Sequence, residues 1–352
     1  MITSVRVVAA AISTVFLLCA AAEPLQKKKK DEDFTQTLEV LPDPPAALPA
    51  ETARLGFLSA PLSTKGLLSQ QSRDAVKSLV KAARGAQFIQ IRAYVAGTGD
   101  LRRIQSIVSE YFTEKRLSLP VLSVVQVGAL PVEGAQVQLE AAVQSRKPAN
   151  PSGLVFASAE AQSPASVLER LRAALSAAGS AAPLRVTCAV SSAEAMQILH
   201  KAASSAFSGA VFTVHQAQRL AVQPVSACTA VARLSTPAAG GVRYLPGAVA
   251  VSAPKLVLAG AQLAFRYQES DARLAFQRLE KTLESASSSL RQCVLLNVYP
   301  LSPQIASLVA KVRGEFLDAA RPPAGVAAPY EGLPSLDAAF ALEAIALPSG
   351  GS

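Results

Sequence analysis

The sequence predicts an α+β protein built as three tandem copies of one domain-sized unit. Three observations lead there. An element order β-β-α-β-α-β-β, read from hydrophobic periodicity, runs along the chain three times, the second time without its leading strand. The copies are spaced by about 100 residues, too long for a solenoid repeat and the size of a small domain. The second helix of each copy closes on a Phe: Phe112, Phe207 and Phe316.

Taken in order, residues 1–22 hold one Arg, an apolar run from Val7 to Ala22 and the small residues Ala20-Ala21-Ala22. They read as a secretory signal cleaved after Ala22, with delivery to the periplasm or the exterior. The run is short for a membrane-spanning helix of ~20 residues, so no stable span is expected after cleavage. Leu18 before Cys19 disfavours a lipidated Cys19, which needs a small residue there. Residues 23–34, with "KKKKDED", read as a charged flexible tether. "PDPPAALPAE" (Pro42 to Glu51) reads as a Pro-rich loop, barred from helix and from a central strand.

Copy one spans 35–146. It has a leading strand "TQTLEVL", a strand "ARLGFLSAPL", a helix with Val76, Val80 and Ala83 on one face, and the strand "FIQIRAYV". A helix to Phe112 and a hairpin-like pair, "VLSVVQVGAL" with "AQVQLEAAV", complete it. Copy two spans 151–233 and opens directly on "GLVFASAEA", with no leading strand. Its first helix aligns Leu171, Leu175 and Ala178; "LRVTCAV", a helix to Phe207 and the pair "VFTVHQAQRL" with "PVSACTAVARL" follow. Copy three spans 234–350. It has a leading strand "GGVRYLP", then "KLVLAGAQL", a helix aligning Phe276, Leu279 and Leu283, and "CVLLNVY". A helix to Phe316 and the pair "AGVAAPYEGL" with "AAFALEAIAL" close it.

Composition narrows the chemistry. The 352 residues are 50% apolar and carry a net charge of +9, scattered outside the Lys27–Lys30 run. With no basic stripe interleaved with aromatics, a nucleic-acid partner is not expected. His200 and His215 have no partner at ligand spacing, so no metal is expected, and no cofactor is implied. No G-x-S-x-G nucleophile motif occurs. Beyond the signal remain Cys188, Cys228 and Cys293, each in an apolar strand-like run. They read first as small buried thiols, with a Cys188–Cys228 bridge open in an oxidising compartment.

The unit resembles the Rid family, also called YjgF-like or endoribonuclease L-PSP-like. The resemblance rests on a strand–"L-S"–helix opening (Leu62-Ser63, then Gly66), on the helix–turn–strand–helix core and its closing Phe, and on an "L-P…L-E-A" ending. That ending is Leu130-Pro131 with Leu139-Glu140-Ala141, and Leu333-Pro334 with Leu342-Glu343-Ala344. The resemblance implies chorismate-mutase-like domains, each a sheet with two helices on one face, assembled as trimers with clefts between units. Three copies in one chain then imply a monomer acting as an intramolecular pseudo-trimer.

The activity implied is hydrolysis of enamines or imines with release of ammonia. An Arg grips the substrate carboxylate in a bidentate pair and a Glu positions water. The Glu positions are Glu140 and Glu343, with Cys228 in that region of copy two. The Arg positions hold Leu122, Phe212 and Gly325, so the clamp is lost from all three copies. Arg219 and Arg321 are the remaining candidates for a substrate-binding cation. The expectation is an exported protein that binds a small metabolite or a partner with degenerate sites; the alternative is an active deaminase with a rearranged site.

Overall fold

The structure, a computed structural model, describes residues 40–349, without the side chains of 203 and 204. The signal, the tether and "TQTLEVL" as far as Glu39 lie outside the described residues. The first part of the chain runs β1 (Ala47–Glu51), β2 (Leu55–Ser59), α1 (Leu68–Ala83), β3 (Gln87–Ala96), α2 (Arg102–Glu114), β4 (Val121–Val127) and β5 (Val137–Gln144). Next come β6 (Leu154–Ala161), α3 (Pro164–Ala177), β7 (Ser180–Val190), α4 (Ala193–Ala206), β8 (Val211–Gln216) and β9 (Ser226–Leu234). The last part is β10 (Val242–Leu245), β11 (Ala248–Val251), β12 (Lys255–Ala259), β13 (Gln262–Phe265), α5 (Glu269–Ser285), β14 (Ser288–Pro300), α6 (Pro303–Arg313) and β15 (Ala338–Pro348).

These elements form three sheets: β2-β5-β3-β4, then β10-β11-β6-β9-β7-β8, then β1-β12-β15-β13 with β14 also on β15. Each sheet carries two helices on one face. The helical stripes seen in the sequence point into those cores: Val76, Leu171, Ala178, Phe276, Leu279 and Leu283 are all buried. Two helix starts follow from local chemistry. Ser163 and Ser302 accept hydrogen bonds from the amides of Ser166 and Ile305, and each is followed by a Pro at the first helical position. The closing Phe residues complete the cores; Phe112 meets Phe88 edge-on at 5.2 Å and Phe316 stacks on Phe276 at 5.0 Å. Among the described residues no helix is long and apolar enough to cross a membrane.

Connectivity differs from the sequence reading in three ways. The last two strands of a unit do not form a hairpin: β5 lies between β2 and β3, antiparallel to both, while β4 runs parallel to β3. The run "VQLEAAV" is buried on both faces, as a central strand must be. In copy three the parallel neighbour of β14 forms no regular strand: it keeps a bridge at Ala324 and a bond from the Val298 amide to the Val326 carbonyl, with Pro322, Pro323 and Pro329 unable to donate.

The leading strands are the second difference. The Pro-rich stretch is not all loop. Its end forms β1, an edge strand on β12 of the third sheet, where Pro49 needs no outward donor. Likewise β10 and β11, assigned by sequence to copy three, extend the second sheet through β11 on β6. Each leading segment thus covers the edge of another copy's sheet. Copy two has no leading strand, and among the described residues β2 has no neighbour on its outer side.

The third difference concerns the thiols. Cys188 on β7 and Cys228 on β9 face each other across the ladder and are bridged, so two of the expected free thiols are a disulfide. Direct cross-strand neighbours on one face have their side chains close enough for this. Cys293 is free and buried.

Candidate functional site

Side chains on a strand alternate between faces. In β3, Ile91, Ala93 and Val95 join the helix-covered core, so Arg92 and Tyr94 point the other way. In β15, Leu342 and Ala344 join their core, and Glu343 points away. The outer faces of the three sheets meet one another. Pairing registers make Arg92–Glu140, Thr187–Thr229 and Asn297–Glu343 equivalent cross-strand pairs of the three copies. Copy two therefore has Thr229 where copies one and three have Glu. Cys228, one residue earlier, faces the helices and matches Leu139 and Leu342.

The result is a polar layer between two apolar ones. On one side lie Leu55, Phe57, Val231, Leu295 and Ile345. On the other lie Tyr94, Ala189, Ala227, Tyr299 and Tyr330. Between them, Arg92, Glu140, Arg185, Thr187, Thr229, Asn297 and Glu343 are all buried. Arg92 Nε donates to Glu343 Oε1 at 2.7 Å, and Nη2 donates to the same oxygen. Tyr299 donates its hydroxyl to Glu343 Oε2 at 3.3 Å. Glu140 accepts from Thr187 Oγ1 at 2.6 Å and, at 3.5 Å, from Tyr94. Arg185 stands 5.0 Å over the Phe57 ring, with Nε and Nη2 lacking hydrogen-bond partners. His215 contacts the Tyr330 hydroxyl through Nε2 at 3.1 Å and stacks on Tyr94 at 4.3 Å.

The electrostatics follow from burial and pairing. Burial alone would raise the Glu343 carboxyl. The Arg92 charge and hydrogen bond, helped by Ser123, outweigh it and hold the carboxyl below its ordinary value. Burial also works against charge on Arg92, and Glu343 more than compensates. Arg185 has no such partner: burial first, then the Arg92 charge, bring it down to about 10. Burial drives His215 down to about 3, so it is neutral at physiological pH.

The positions expected for the family's Arg do line up across the copies. Leu122 lies opposite Ile91, Phe212 opposite Val186, and Gly325 follows the Ala324 bridge at the same step. All three lack a cation, and the space beside them is small. The cleft at Leu122 is bounded by Asp43–Ala46 and Gly260–Gln262 and holds about 170 Å³. Small-molecule sites span roughly 300–1,000 Å³. Phe212 packs against its own helix-covered core. Gly325 donates its amide to Ser158 Oγ at 2.9 Å, and a Cβ there would run into the Leu296 carbonyl oxygen.

The two candidate cations are engaged elsewhere. Arg219 is half-exposed on a loop, its Nε donating to the Gly128 carbonyl at 3.0 Å. Arg321 is half-exposed and paired with Asp318 at 2.7 Å. Neither hydrogen-bonds to Glu140 or Glu343. The buried cations are Arg92 and Arg185, which sequence reasoning passed over. Their signal was a lone Arg at the non-core parity of an otherwise apolar strand, in "FIQIRAYV" and "LRVTCAV". Among the described residues no group of three His, Cys, Asp or Glu side chains is placed to hold a metal ion.

No family model and no curated protein matches this chain. Solved structures do. A YjgF/YER057c/UK114-family protein from Mycobacterium tuberculosis is 21% identical over 26% of this chain and 77% of its own, with a TM-score of 0.24. A YjgF-family protein from Neisseria meningitidis is 14% identical over 30% of this chain and 94% of its own, with a TM-score of 0.25. RidA from an Antarctic Psychrobacter is 20% identical over 30% of this chain and 85% of its own, with a TM-score of 0.24. Each is thus similar, across most of its own length, to a stretch of this chain about the size of one copy.

Proposed function

We propose that this chain is an exported Rid-like pseudo-trimer in a single polypeptide. It acts by binding a small metabolite or a partner, and no longer hydrolyses enamines or imines. One observation carries the reading: the Glu343 carboxylate is consumed by the buried Arg92 guanidinium. A Glu that positions water must keep an oxygen within reach of the water and the substrate. Here the nearest groups are Arg92, Asn297 and Tyr299, all from the protein. Glu140 is held by Thr187 in the same closed layer, and copy two offers only Thr229. The apolar or small residues at Leu122, Phe212 and Gly325 support the same conclusion, since a charge-assisted carboxylate contact contributes about 1.5–3 kcal/mol that they cannot supply.

The test is an ammonia-release assay with freshly generated 2-aminoacrylate. The expected result is no turnover above the uncatalysed rate. Turnover that is lost in folded Glu140→Ala/Glu343→Ala protein would overturn the proposal in favour of an active deaminase. Light scattering tests the pseudo-trimer separately: a single-chain mass is expected, and a stable homotrimer of the whole chain refutes it.

A further inference from the structure

The bare edge of β2 sits in a place that the other two copies fill. β11 covers β6, and β1 covers β12. In both cases the added strand also lies under the first helix of the copy: Ala248 and Ala250 share a core with Ala174 of α3, and Ala47 packs into the core under α5. The linker at the equivalent place in copy one, residues 145–153, forms no strand. Its Asn150 only caps the near end, donating Nδ2 to the Leu55 carbonyl at 2.7 Å.

Further along the edge nothing takes over. Arg54 and Ala60 bond to β5 through the Arg54 carbonyl and the Ala60 amide. Antiparallel alternation then turns the backbone groups of Phe57 and Ser59 outward. Beside them a groove of about 830 Å³ opens under the C-terminal half of α1. Its floor includes Phe57, Leu58 and Ala82, its charged rim is Lys81, Arg84 and Arg146, and no carboxylate lines it. Those three cations are exposed and make no salt bridge among the described residues.

We propose that the outer edge of β2 docks an extended strand of a partner polypeptide, with small apolar residues turned under α1 and carboxylates beside Arg84 and Arg146. Strand addition to an open edge takes affinity from main-chain hydrogen bonds and specificity from the flanking side chains. Position argues against this chain's own N-terminal segment as the occupant: the chain enters at the far end of the same sheet, where Asp43 accepts from Gln105 of α2 at 2.9 Å.

The experiment uses the full chain and a synthetic peptide carrying the β11 sequence Ala248–Val251 flanked by Glu residues. Amide exchange at Phe57 and Ser59 is followed with and without peptide. The expected result is fast exchange in the free chain and protection on binding. Ser59→Pro, which removes an outward amide and puts a ring on the edge, abolishes protection at Phe57, and Ser59→Ala leaves it. Lys81→Glu with Arg146→Glu weakens binding about tenfold at low salt. Three results overturn the proposal: no protection with peptide; amides already protected in the free chain at every concentration, which assigns the edge to the chain's own segment; or protection that grows with protein concentration alone, which assigns it to a second copy.

Discussion

If the Arg92–Glu343 pair is a structural tie, removing the carboxylate unfolds the protein before it says anything about catalysis. Arg92 is 3% exposed and Glu343 1%. Glu343→Leu leaves a guanidinium in a closed layer with no anion to meet it, and breaking a buried pair this way costs about 3–5 kcal/mol. Glu343→Gln keeps one acceptor oxygen and is expected near the lower end of that range. Against a total stability of about 5–15 kcal/mol, either change is large. With a urea slope of about 3 kcal/mol/M, the midpoint for Glu343→Leu falls by about 1 M or more. Replacing both partners, Arg92→Met with Glu343→Leu, removes the stranded charge, and stability returns to within about 1–2 kcal/mol of the parent. Urea titration of the parent, the two single variants and the double variant reads this directly. A Glu343→Leu protein within about 1 kcal/mol of the parent, or a double variant no better than the single one, would refute the argument and free Glu343 for another role.

Three further outcomes follow from the same interior. His215 titrates near 6.5 when unfolded and at about 3 in the fold, so between those values only the unfolded chain binds the proton. Stability is therefore full above pH 6.5 and falls towards pH 3 by up to about 5 kcal/mol; urea titrations at several pH values show it, and a slope unchanged by His215→Phe would sink it. The Cys188–Cys228 bridge closes a loop of sequence separation 40, which is worth about 4 kcal/mol. Reduction should lower the melting temperature of the parent but not of Cys188→Ala/Cys228→Ala. Gly325 has φ 150° and no room for a Cβ, so Gly325→Ala is expected to cost more than about 3 kcal/mol in thermal melts.

Much of the architecture was legible because it rests on local periodicity. Val76 with Ala83, Leu171 with Ala178, and Phe276 with Leu283 mark helices whose apolar stripes must be covered. Glu140 and Glu343 came from the resemblance, through the "L-E-A" ending, and the strand registers place Leu122, Phe212 and Gly325 at one equivalent step of the three sheets. Period-2 alternation even fixes which face each occupies.

What the sequence by itself determined is therefore the helices, most of the strands and the inward faces of those elements. Only the tertiary structure decided which strand lies beside which: that β5 is central, that β1 and β11 cover sheets other than those nearest in sequence, and that β2 is left bare. It also decided the fate of the charges. A lone Arg92 in "FIQIRAYV" reads the same whether it faces water or a distant carboxylate. Its meaning arises when three outer faces close on one another and the solvent that would have screened it is gone. Backbone and side-chain periodicity are properties of neighbours along the chain, whereas edge pairing and ion pairing between residues 251 apart are properties of neighbours in space.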